Sequence, residues 1–130
     1  MKCTISGSFR KFYKEICKVR KIFEEYDIEV LSPEISKIVN PEENFPLLET
    51  DSKNSTKKEI EDKHLKAIGK SDFLYVVCPG GYIGNSVRFE IGYAHGKGVF
   101  IYSSHLPKDA LLRKYLEIVP PEELCKTLKK

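Results

Sequence analysis

Two short, almost unbroken apolar runs, Phe73 to Cys78 and Val99 to Tyr102, flank a glycine-rich turn and a helix. Runs of this kind, rich in Val, Ile, Tyr and Phe, suit the interior of a parallel sheet covered on both faces. Between them lie the turn CPGGYIGNS, a helix over about 86–95 and a Gly-Lys-Gly break. Upstream, KCTIS (2–6) reads as a strand. In the segment 9–26, Phe9, Phe12, Tyr13, Ile16, Val19, Ile22, Phe23 and Tyr26 step by three or four, the stripe of an amphipathic helix. Asp27 ends it, Ile28 to Leu31 is a second strand, and Ser32-Pro33 closes that strand. A second helix spans about 56–69, opened by Thr56 with Glu59 three residues on. Its Ile60, His64, Ala67 and Ile68 share the face turned to the sheet. Downstream, 107–115 reads as a fourth helix, Leu116 to Val119 as a fifth strand, and EELCKTLKK after Pro120-Pro121 as a C-terminal helix. No periodicity survives over 34–56, which reads as a long loop, either a lid or binding loop or plain disorder.

Strands alternating with helices predict an α/β fold: a flavodoxin-like, doubly wound, five-stranded parallel sheet in the order 2-1-3-4-5, with helices on both faces. At 130 residues the chain is expected to form a single domain over 1–130. In such a sheet ligands sit at the carboxyl ends of the strands, where the order reverses. That places the turn after the first strand (7–10) beside the turn after the third (80–86). Asp72 falls at the opposite edge and reads as structural.

Composition narrows the function classes. A net charge of +3, with lysines scattered over helix faces and the tail, argues against a nucleic-acid partner. No segment approaches transmembrane length, so no membrane partner is expected. Cys3, Cys17, Cys78 and Cys125 form no short-spaced pair, and His64, His95 and His105 are dispersed. These patterns predict a reduced, cytoplasmic protein with no structural metal and no cofactor.

Two turns carry the candidate chemistry. Gly7, Ser8 and Arg10 open the first helix, where backbone N–H groups, a hydroxyl and a guanidinium suit a phosphate or carboxylate. The competing reading is a glycine turn, a serine cap and a surface arginine. Glu90 follows the turn that holds Gly81, Tyr82, Gly84 and Ser86, near the positive end of its helix dipole, where it suits a nucleophile or base. The competing reading is a helix carboxylate paired with a neighbouring cation; Arg88, on another face, reads as surface. His64 sits in the half of its helix that lies near the strands' carboxyl ends, so it reaches the pocket as a proton carrier or stands as a core histidine bonded to a carbonyl.

Together ISGSFR, HLKAIGKSD and GYIGNSVRFEIGYAHGKG resemble the nucleoside 2-deoxyribosyltransferase-like superfamily. That superfamily includes the nucleoside deoxyribosyltransferases and the 2'-deoxynucleoside 5'-phosphate N-hydrolases. The pattern H-L-x-x-I followed by G-Y-I-G-x-S looks like a little-characterised subgroup of it. The resemblance implies that Glu90 is the nucleophile, that Ser8 and Arg10 hold a 5'-phosphate, and that Ser86 assists. It also departs from the pattern at two places: the helix-two aspartate of the superfamily falls on His64, and Ser86 is two residues out of register, with Gly84 at the matching position.

The implied function is hydrolysis of the N-glycosidic bond of a nucleoside 5'-monophosphate through a covalent glycosyl ester on Glu90. His64, or else Glu61, would protonate or orient the leaving base, and Tyr82 would stack on base or sugar. Two alternatives share the pocket: a nucleoside 2-deoxyribosyltransferase, and a non-catalytic nucleotide-binding or sensing module. A phospho-receiver module would need an acidic residue at the end of the third strand, where Cys78-Pro79 stands. The expected partners are a small-molecule nucleotide or nucleoside and a second copy of the chain. The homodimer is motivated by Ile91, Tyr93 and Ala94 on the third helix and by spare apolar surface on the second helix and over 45–48; the competing reading has the long loop fold over these residues within one chain.

Overall fold

A computed structural model describes residues 1–33 and 56–129, and the expected loop over 34–56, including the apolar residues 45–48, lies outside them save for Thr56. Strands β1 (Lys2–Gly7), β2 (Glu29–Ser32), β3 (Phe73–Val77), β4 (Phe100–Ser103) and β5 (Glu117–Ile118) form one sheet, β2-β1-β3-β4-β5, with every neighbouring pair parallel. The helices are α1 (Phe9–Glu25), α2 (Lys57–Gly69), α3 (Asn85–Gly96) and α4 (Pro121–Leu128). The expected flavodoxin-like order is the observed one.

The pleat divides the core. Phe73, Tyr75 and Val77 alternate with Leu74, Val76 and Cys78 along β3 and its end, and all six are buried. The first set joins Ile16, Val19 and Phe23 of α1 and Leu124 and Cys125 of α4. The second joins Ile68 of α2, Val87, Ile91 and Ala94 of α3, and Ile101. Phe23 makes edge-to-face contacts with Phe73 and Tyr75, with ring centroids 5.6 and 5.2 Å apart. Ile91 and Ala94, expected to have apolar surface to spare, are buried in this second core with Tyr93 packed against it. The apolar side chain that α3 exposes is Phe89.

β1 does not follow the apolar rule for a strand covered on both faces. Cys3 and Ile5 enter the α1 core, while Thr4 and Ser6, also buried, face the α2 side. Thr4 Oγ1 lies 2.8 Å from Ser71 Oγ just after α2, and Ser6 Oγ lies 3.2 Å from His64 in its middle. α2 therefore runs antiparallel to β1, with its N-terminal half over the carboxyl end of the sheet.

The segment read as a helix over 107–115 holds only a single short 3₁₀ turn, Leu112–Lys114. Local side-chain bonds compete with helix there. Asp109 Oδ1 accepts from the backbone of Leu111 and Leu112, and Arg113 donates to the carbonyl of Pro107 at 2.6 Å. The same loop is strapped to the glycine turn, because Lys108 N donates to Gly81 O. Gly81 has φ +82°, and a Cβ there would sit 2.6 Å from the Leu106 carbonyl oxygen, so only glycine fits this approach.

Candidate active site

Glu90 belongs to the buried stripe of α3 (Val87, Glu90, Ile91, Ala94), so the helix that packs on the sheet carries a carboxylate inward among apolar residues. It is 5 % exposed. A carboxylate so placed demands partners. Ser6 at the end of β1 donates to Glu90 Oε1 at 2.6 Å, and His64 Nε2 lies 3.3 Å from the same oxygen. Asn85 opens α3, which puts Glu90 in the second turn, beyond the main reach of the helix dipole that its position suggested.

His64 is held from both sides. Its Nε2 faces Ser6 Oγ (3.2 Å) and Glu90, and its Nδ1 lies 2.6 Å from Ser32 Oγ. Since Ser6 gives its own proton to Glu90, its oxygen accepts from Nε2–H. Nδ1 either accepts from Ser32 or, in the imidazolium, donates to it, because a hydroxyl serves both ways.

A slip in register brings Ser32 here. Val30 pairs with Cys3, yet Ser32, not Leu31, pairs with Thr4. The extra residue in β2 turns Ser32 to the α2 face, as a bulge does.

Glu61 lies three residues before His64, on the same face of α2. Its carboxyl hydrogen-bonds Glu90, and its Oε1 is buried without a hydrogen-bond partner. Burial, the hydrogen bond and charge of Glu90, and the charge of Asp62 push the Glu61 carboxyl up to about 9. Glu90 moves the other way. Burial disfavours its ionised form, but the charge and hydrogen bond of His64, with hydrogen bonds from Glu61 and Ser6, outweigh burial and hold it below the usual carboxylate range. The site thus holds a protonated carboxyl against an ionised one, each set by its partners.

Of the residues singled out in the sequence, His64, Glu90 and Glu61 meet directly. Gly7 ends β1 opposite Val77, where a Cβ would come within 3.0 Å of the Val77 carbonyl oxygen. Ser8 caps α1, its Oγ accepting from Lys11 N at 3.3 Å, as in the competing reading of that turn. Arg10 is exposed in the first turn of α1. Tyr82 stands half-exposed between the turns, its ring 6.1 Å from that of Phe12 and with Lys11 Nζ 4.1 Å from its centroid. Gly84 caps α3, and Ser86 is exposed in its first turn, apart from the Glu90 cluster in every hydrogen bond of the described residues. Arg88 pairs at the surface with Asp109 at 2.6 Å, and Asp72 accepts from Lys2 N at the far edge of the sheet.

Ser6 and Ser32 were not legible as site residues from their motifs. The available signal was polarity at the wrong place: CTIS alternates in a strand that the topology covers on both faces, and its last serine points to the carboxyl end. Among the described residues no group of three or more His, Cys, Asp or Glu side chains is arranged to hold a metal ion. No helix among them is long and apolar enough to cross a membrane.

No family model matches the chain, and no curated protein is similar to it in sequence. Solved structures share its fold. A CMP N-glycosidase from Clostridium botulinum superposes with a TM-score of 0.64 at 15 % identity, over 99 % of this chain and 98 % of that one. A conserved protein from Enterococcus faecalis V583 gives 0.58 at 16 % identity, over 99 % and 97 %. A 2-deoxyribosyltransferase from Bacillus psychrosaccharolyticus gives 0.55 at 16 % identity, over 89 % and 82 %. The chain therefore has the fold on which a nucleotide N-glycosidase and a deoxyribosyltransferase are built.

Proposed function

We propose that the protein is an N-glycosidase of the nucleoside 2-deoxyribosyltransferase-like superfamily that releases the base from a nucleoside 5'-monophosphate. The observation that carries this reading is Glu90: an ionised, buried carboxylate at the carboxyl end of a parallel sheet, aimed by Ser6 and His64 and faced by a second carboxyl. A structural carboxylate in a core would be neutralised by a close cation and nothing more. Here a protonated acid stands beside an ionised base, the division of labour that glycosidic cleavage through two carboxyls requires.

In this reading Glu90 attacks the anomeric carbon, the base leaves with a proton from a group on α2, and water resolves the glycosyl ester with retention. Ser6 and His64 fix the carboxylate's orientation so that no rotation is needed at the moment of attack. Tyr82 offers a ring face for base or sugar, and Gly7, Ser8 and Arg10, with the N–H groups at the start of α1, form the end that takes the phosphate. Gly81 and Gly84 shape the turn, and Ser86 lines it. The likeness of fold to a CMP N-glycosidase and to a deoxyribosyltransferase supports nucleoside N-glycosyl chemistry.

The test is incubation with a panel of nucleosides and nucleoside 5'-monophosphates, followed by chromatography for free base. Release from monophosphates and its loss by several orders of magnitude in Glu90→Gln are expected. Transfer of the sugar to an added second base would favour the transferase, and tight nucleotide binding without release would favour the sensing module. Near-normal turnover by Glu90→Gln overturns the mechanism.

A further inference from the structure

We propose that Glu61, rather than His64, is the acid that protonates the departing base and then the base that activates water, with His64 a positioning residue. The assignment rests on the N-glycosidase reading above. It follows from which proton-carrying group still has an atom that no protein partner engages. Both nitrogens of His64 are engaged, Nδ1 by Ser32 and Nε2 by Ser6 and Glu90. A proton leaving Nε2 would leave from the bond that orients the nucleophile. Glu61 differs: one oxygen shares its proton with Glu90, which Ser6 and His64 also hold, and the other, Oε1, is buried without a hydrogen-bond partner. That arrangement leaves a carboxyl oxygen beside the nucleophile that no protein group engages, and the proton can leave Glu61 while two donors still orient Glu90.

The groups that face Glu61 explain why it holds a proton there. Glu90 comes from α3 and Asp62 from its own helix, both carboxylates; His64, one turn on, directs its Nε2 to Glu90. Two carboxyls in contact share one proton, and it settles on the one with fewer donors. Glu90 has Ser6 and His64; Glu61 has neither.

The steps balance. A Glu90 oxygen bonds to the anomeric carbon as the glycosidic C–N bond breaks and its electron pair stays on the base. The base takes the proton of Glu61, leaving a glycosyl ester at Glu90 and an ionised Glu61. Water then attacks the anomeric carbon while Glu61 takes its proton, and the ester electron pair returns to Glu90.

The experiment compares two substrates, an ordinary nucleoside 5'-monophosphate and a 4-nitrophenyl deoxyriboside 5'-phosphate, whose leaving group departs as an anion and needs no acid. Glu61→Gln is expected to lose about 10²- to 10⁴-fold on the nucleotide. On the nitrophenyl substrate it keeps its burst of nitrophenolate, and mass spectrometry finds the glycosyl ester accumulated on Glu90 for want of a base. Glu61→Asp, which keeps an acid on a shorter arm, recovers part of the nucleotide rate. His64→Gln lowers kcat on both substrates alike. Equal losses on both substrates in Glu61→Gln, no loss on either, or the leaving-group-selective pattern in His64→Gln would each overturn the assignment alone, since the wild type remains active in all three. A wild type that releases base from no substrate overturns the N-glycosidase reading and this assignment with it.

Discussion

Glu61→Gln also tests the electrostatics of the site without any substrate. In the fold Glu61 keeps its proton up to about pH 9, whereas an unfolded glutamate gives it up near 4.3, about the model-peptide value. Between those two values the native state binds one proton more than the unfolded state at this residue. The slope of unfolding free energy with pH follows the difference, unfolded minus native, so it is negative here. Glu61 therefore lowers stability as pH rises through this window, by at most about 1.4 kcal/mol per pH unit. The carboxyl is only half-buried, and water screens part of that effect. A contribution of about 1–2 kcal/mol between pH 5.5 and 7.5 is expected. Glutamine has nearly the same shape, does not titrate, and can donate its amide N–H to Glu90 as the protonated acid does. Urea melts of both proteins at pH 5.5, 6.5 and 7.5 should show the variant gaining on the wild type by that amount, or about 4–8 °C in Tm. Every other ionisable side chain is common to both proteins. A stability difference that stays constant with pH, or that moves in favour of the wild type, would refute the protonated Glu61 beside an ionised Glu90.

Other outcomes are expected at separate places in the fold. Arg10→Ala should weaken 5'-monophosphate binding by about 1.5–3 kcal/mol while leaving nucleoside binding almost unchanged, and calorimetry showing equal losses would sink the phosphate assignment. Gly81→Ala, with φ +82° and a Leu106 oxygen 2.6 Å from the new Cβ, should cost about 1–3 kcal/mol in urea melts. Gly92→Ala in α3, where nothing lies within 4 Å of the added carbon, should instead stabilise by about 0.5–1 kcal/mol. Light scattering at micromolar concentration checks the homodimer: twice the chain mass is expected if a second copy helps to close each pocket, and a monomer with full activity would remove that copy from the mechanism.

The architecture was legible because its signals are local. Unbroken apolar runs set β3 and β4, a 3.6-residue stripe set α1, and the alternation of the two kinds of segment limits the sheet to few orders. Glu90 stood out because it interrupts an apolar helix stripe just after a glycine turn, and His64 because its helix must run back over the strands' carboxyl ends. What surrounds them was not legible, because it depends on offsets between elements far apart in the chain. Whether Ser6 or Thr4 meets His64 depends on how far α2 slides along β1, which packing sets to within a residue. Ser32 reaches His64 only because the β1–β2 register slips by one residue. The helix expected over 107–115 failed where Asp109 and Arg113 bonded to nearby backbone, a competition that apolar spacing does not record. The pairing of Glu61 with Glu90 joins residues 29 positions apart and places a proton between them. No propensity or motif contains that proton, because it is fixed by burial and by the count of donors around each carboxyl, and both come into being only when α2, α3 and β1 close on one another.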